Sequence, residues 1–164
     1  MAMVAQRTIT LGDEVWIASA LLHREHPDRS DFTVREIADQ VRAEAAPGTV
    51  RPGILPHIYL HCVANYPPNP GRLCLLFATG KNTRRLFRPG DSRHPQRTGG
   101  KTMPSREKLP ERYRALLDWY LSQYVTQHQP DAEHDPILRL RGLGKEIWDE
   151  HPDHYVRRLR EGWE

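Results

Sequence analysis

The sequence lacks most of what announces an enzyme, a membrane protein or a disulfide scaffold. Among 164 residues there are two cysteines, Cys62 and Cys74. They form no CxxC pair and no disulfide framework. No apolar run approaches the roughly 20 residues that a bilayer-spanning helix needs. Residues 1–10, interrupted by Gln6 and Arg7, do not read as a signal peptide. The expectation is a protein of the reducing cytoplasm with no membrane partner. There is no Gly-rich phosphate loop, no nucleophile elbow and no HExxH pattern. Carboxylates are scattered among arginines, and His26, Asp28 and Asp31 read as a solvated loop cluster. These absences argue against an enzyme and against any cofactor.

What is present is helical periodicity broken by proline. The spacing of Leu11, Val15, Ala18 and Leu22 predicts a first helix over about 11–25, stopped by Pro27. Thr33 and Glu36 make a capping box that opens a second helix with Ile37, Ala38 and Val41 on its buried side. Phe32, just before the cap, is placed to staple onto Ile37. A third helix is expected from Ile54 to about Asn65, with Pro56 tolerated in its first turn. It is apolar over most of its circumference, so the pattern does not say which face turns outward. After Tyr66–Gly71 the period shortens. Apolar residues 73–78, the turn Thr79-Gly80-Lys81-Asn82 and the run 83–87 predict a β-hairpin. Residues 88–108 read as an irregular loop. A long helix from Pro110 to about His128 then buries Tyr113, Leu116, Leu117, Tyr120 and Tyr124, with Trp119 beside them. The fold class expected is mainly α with a small β-hairpin: a winged helix-turn-helix domain, a long helix and an extended helical tail. The domain spans 8–129, a polar linker 130–136 and the tail 137–164.

Charge sharpens this reading. The net charge is only +3, yet the stretch 72–108 holds ten cations against Asp91 and Glu107. Segregated cations on a wing are what phosphate contact requires. The third helix would enter the major groove. The candidate duplex-DNA contacts are Arg51, His57 and His61 on or near that helix, and Arg72, Lys81, Arg84, Arg85 and Arg88 on the wing. Arg and His can donate to guanine acceptors, and Asn65 could pair with adenine. His57 and His61 have the i, i+4 spacing of a zinc chelate. The two cysteines, however, sit in apolar runs where Cys behaves as a small hydrophobe, so no metal is expected.

The last thirty positions carry two short amphipathic patterns, one through Leu140, Leu143 and Ile147, the other through Tyr155, Val156, Leu159 and Trp163. Neither is long enough to be stable alone in water. Two tryptophans, a tyrosine and clustered arginines are residue types that dominate interface energetics. The run Gly144-Lys-Glu-Ile-Trp148, followed by Asp153 and 155–163, resembles the toxin-neutralising tail of VapB-type antitoxins. That resemblance implies a PIN-domain ribonuclease as partner. Trp148, Tyr155, Leu159 and Trp163 would be apolar anchors, and Arg157, Arg158 or Arg160 would plug the toxin's acidic site. VapB-type antitoxins usually carry a ribbon-helix-helix or swapped-hairpin domain, whereas residues 32–37 and 62–65 here resemble uncharacterised bacterial winged-helix domains, some linked to restriction systems. The expected function is therefore an antitoxin-like regulator that binds operator DNA, a role that a homodimer would suit. The alternative is a winged-helix regulator or restriction-associated DNA-binding module with no toxin.

Overall fold

The structure, a computed structural model, describes residues 9–45, 50–68 and 71–129. Residue contacts divide the chain into Met1–Gln129 and Pro130–Glu164, and every described residue belongs to the first unit. The tail anchors Trp148, Tyr155, Leu159 and Trp163 and the arginines Arg157, Arg158 and Arg160 lie outside the described residues.

The domain is mainly helical with one small antiparallel sheet. Helix α1 spans Leu11–Glu25, and the Thr10 hydroxyl caps it by accepting from the Asp13 amide at 3.1 Å. Strand β1 is only Phe32–Thr33, and α2 follows at once as Val34–Glu44. The capping box is formed: the Thr33 hydroxyl accepts from the Glu36 amide, and the Glu36 carboxylate accepts from the Thr33 amide at 2.8 Å. Each bond satisfies an amide that the helix start would otherwise leave unpaired. Arg29 and the Thr33 amide and hydroxyl hold the Glu36 carboxyl down to about 2.

The third helix is shorter than its pattern predicts. An α-helical turn, α3 at Ile54–Pro56, runs on into a π-helical turn, His57–His61. Gly53 enters it with φ +95°, in the left-handed region that glycine occupies without penalty. Residues 62–65 then leave the helix and lie along the edge of the sheet, where the Ala64 amide donates to the Leu76 carbonyl at 2.8 Å. Asn65 reinforces that edge, donating to the Ala78 carbonyl at 3.0 Å and accepting from its amide at 2.9 Å.

Strands β2 (Leu76–Ala78) and β3 (Thr83–Leu86) form the expected hairpin. The sheet has a third strand, because β1 pairs with β3 through Phe32↔Arg84 and Thr33↔Thr83. Its order is β1-β3-β2. Residues 88–110 wind back over the domain with 3₁₀ turns at Pro95–Arg97 and Arg106–Lys108. The last helix is α4 (Glu111–Trp119), a π-helical turn (Tyr120–Tyr124) and α5 (Val125–Gln127) in succession.

One core serves all of these elements. Val15, Trp16 and Ala18 of α1, Ile37 and Val41 of α2, Ile54 and Ile58 of the third helix, Leu75, Leu76 and Leu86 of the hairpin and Leu116 and Tyr120 of the last helix are buried together. The edge of the Trp16 ring meets Tyr120 at 5.6 Å. Among the described residues no helix is long and apolar enough to cross a membrane.

Candidate nucleic-acid interface

Packing decides the face that periodicity left open. Ile54, Ile58 and Cys62, at i, i+4 and i+8, are buried. This turns Leu55 and Tyr59 outward, at 52% and 45% exposure. His57 and His61 are half-buried, with their rings 4.7 Å apart. His57 Nδ1 is 2.8 Å from the Gly53 carbonyl, which leaves Nε2 as its outward atom. His61 is made harder to protonate by burial, then by His57 and Arg97. The outward face of the third helix is therefore mostly apolar, with two imidazole rings at its margin.

The turn between β2 and β3 sits against the start of α2. The Val34 amide donates to the Asn82 carbonyl at 2.9 Å, and the Thr79 hydroxyl meets Asp31 Oδ2 at 2.6 Å. The exposed Lys81 lies in that turn, and Arg35, whose side chain is 92% exposed and 4.0 Å from Asp39, lies in the first turn of α2. Arg35 was missed in the sequence because it belongs to the second helix, and only the strand pairing of Phe32–Thr33 carries it to the hairpin.

Most of the predicted DNA-contacting arginines are otherwise engaged. Arg84 is 1% exposed. Its guanidinium donates to the carbonyls of Ile58 at 3.2 Å, Tyr59 at 3.2 Å and Gly80 at 2.9 Å, so it fastens the third helix to the hairpin turn. Arg85 makes a bidentate bridge to Asp91 at 2.7 and 2.6 Å, with both side chains largely buried. Arg88 Nε donates to the Tyr124 hydroxyl at 3.1 Å. Arg51 pairs with Glu14 at 3.1 Å and donates to the Ile9 carbonyl. In all four the guanidinium is bonded to acceptors within the domain, so cations close in sequence are dispersed by the fold onto separate partners. Asn65 is engaged in the same way, with both ends of its amide bonded to Ala78.

Three more cations of the basic stretch follow the same rule. Arg97 has no exposure and donates to five carbonyls: Tyr66, His61, Leu73, Leu60 and Pro67, at 2.5–3.0 Å. It ties the end of the third helix to the turn that follows. Lys101 reaches the buried Asp13 at 2.9 Å, and Arg106 bridges Asp118 at 2.7 Å. Arg72, Lys81, Arg93 and Lys108, by contrast, are exposed and make no ion pair among the described residues.

Nor do the two cysteines join the histidines. Both are buried free thiols. Burial pushes Cys62 up to about 12 and raises Cys74 as well. No group of three or more metal-ligating side chains converges among the described residues.

No protein-family model matches the chain, and comparison with curated proteins and with solved structures likewise gives no match.

Proposed function

We propose that residues 9–129 act as a winged helix-turn-helix domain that docks duplex DNA through the third helix and the β2–β3 turn. One observation supports this reading above the others. The chain runs helix, strand, helix, helix, strand, strand, and the short first strand pairs with the last, giving the order β1-β3-β2. That arrangement sets the third helix and the hairpin turn side by side, and Arg84 locks the two together. A helix then addresses the major groove while the turn follows the backbone. Lys81, Arg72 and Arg35, the last at 4.0 Å from Asp39, are exposed cations that would meet phosphate. The proposal thus involves fewer phosphate contacts than the sequence implied.

The test is fluorescence anisotropy of a random duplex across a salt series. Each cation that neutralises a phosphate adds about 0.9 to the slope of log affinity against log salt. Lys81→Ala and Arg72→Ala each lower that slope by about one. Salt-independent binding, or none at low ionic strength, removes the DNA reading.

A second reading is favoured by Leu55 and Tyr59, because an exposed apolar pair on this helix also suits a protein partner. In that case Leu55→Ser abolishes partner binding and leaves DNA affinity unchanged.

For the tail, we propose the toxin-neutralising role on its residue pattern. It clamps a PIN-domain ribonuclease through Trp148, Tyr155, Leu159 and Trp163, with Arg157, Arg158 or Arg160 at the acidic site. Co-expression with the product of the adjacent reading frame tests it. Truncation after Pro130 abolishes the complex if the tail is the clamp, and equal binding by the truncated chain refutes it. Without a toxin, the domain alone is a DNA-binding regulator or restriction-associated module.

A further inference from the structure

On the other side of α1 a cleft of about 340 Å³ opens between the end of that helix, the loop after it and the last helix. Its volume is at the lower end of the range for small-molecule sites. Four of its nine lining residues are cationic or imidazole, and none is a carboxylate. Arg24 is exposed and makes no ion pair among the described residues. Arg29 is held in place by a bidentate bridge to Glu36 and lies over the Phe32 ring at 4.3 Å.

The wall opposite is aromatic and amide-bearing. Trp119 and Tyr124 have ring centroids 5.6 Å apart, and His128 follows Tyr124 at 4.7 Å. Gln123 and Gln127 line the cleft together with Trp119. Beside Tyr124, which is 3% exposed, the other buried side chain of the lining is His23, at 4%. Its Nε2 is 3.3 Å from the Leu86 amide, which can only donate. The ring proton of the neutral form therefore sits on Nδ1. That N–H is thus a donor carried by one of the cleft's lining residues. Burial, and then the charge of Arg88, keeps the ring neutral, so the donor is present throughout the physiological range.

We propose that this cleft binds an anion carrying a planar heterocycle, of mononucleotide size. Trp119 stacks on the ring, Gln123 and Gln127 meet the ring's polar edge, Arg24 takes the anionic group, and His23 Nδ1–H donates to the ligand. A guanidinium and an aromatic face serve the two halves of such a molecule, whereas a purely apolar ligand would cover the His23 N–H without offering it an acceptor. The proposal stands independently of the DNA reading.

Isothermal titration of the full chain with the four ribonucleoside monophosphates tests it, with inorganic phosphate and the free nucleosides as separate arms. At least one nucleotide binds, and phosphate alone and the matching nucleoside each bind more weakly by about tenfold or more, the loss of one charge-assisted hydrogen bond or one stacking contact. Arg24→Gln and Trp119→Leu each weaken nucleotide binding by a similar factor. Arg24 is exposed and Trp119 half-buried, so circular dichroism can establish that both variants fold. Three results would overturn the proposal: no nucleotide bound at millimolar concentration, binding unchanged in both variants, or phosphate alone binding as tightly as the nucleotide.

Discussion

Replacing Arg97 by methionine will destabilise the domain far more than an arginine from a basic loop would suggest. The guanidinium is fully buried and donates five hydrogen bonds to carbonyls, with no carboxylate among them. Methionine keeps much of the volume and none of the donors. Of the five carbonyls, Leu60 retains a second partner, the Val63 amide at 3.1 Å. An acceptor left buried and unpaired costs about 1–3 kcal/mol. Opposing this, the variant no longer buries a charge, a burial that already makes Arg97 easier to deprotonate than an ordinary arginine. With that offset the expected loss is about 3–5 kcal/mol, the balance of four carbonyls left without a donor against the relieved burial of the charge. Domains of this kind are stable by on the order of 5–15 kcal/mol, so the melting temperature falls by roughly 10 °C or more. Arg97→Lys keeps the charge but has three donors in place of a planar fork, and it recovers only part of the loss. Lys108→Met, an exposed cation of the same stretch, shifts stability by less than about 0.5 kcal/mol. Urea unfolding followed by circular dichroism measures all three. If Arg97→Met loses less than about 1 kcal/mol, the reasoning is wrong and water replaces the guanidinium without penalty.

Other predictions follow from the same contacts. His23 is held neutral, with its pKa lowered to about 3 from 6.5, first by burial and then by Arg88. The unfolded chain takes up this proton below about pH 6.5 and the folded one refuses it until about pH 3, so the contribution is full above pH 6.5 and is lost as pH falls through that window. His23→Gln, whose amide can still accept from Leu86, will therefore show a shallower fall in stability between about pH 6 and pH 4, by up to about 1.4 kcal/mol per pH unit. Equal slopes for the two proteins would count against it. Thr33→Ala removes the hydroxyl that caps α2 and leaves the Glu36 amide unpaired, which will cost about 1 kcal/mol in urea unfolding.

The parts of the fold that were legible in sequence are those set by local rules. The Thr33–Glu36 box, the stripe of α1 and the apolar face of the last helix all act over one or two turns, and each stands where its pattern puts it. Strand β1 was illegible because two residues carry no period, and Phe32 and Thr33 already had roles as staple and cap. The outward face of the third helix was illegible for the opposite reason, since nearly every position there is apolar and only the packing of Ile54, Ile58 and Cys62 chooses. The tethering roles of the arginines were illegible where their acceptors are remote: Arg97 bonds to residues 24–37 positions away, and Arg84 reaches back 26 positions to Ile58, although Arg85 pairs with Asp91 only six positions on. Nothing in a cation's immediate neighbours distinguishes a tether from a phosphate contact.

Amide chemical-shift mapping on titration with a short duplex tests the DNA reading most directly. The account predicts shifts clustered at Leu55–His61, at Thr79–Asn82 and in the first turn of α2, fading as salt rises. Shifts confined to the last helix and the loop at 88–108, with the third helix silent, would contradict it.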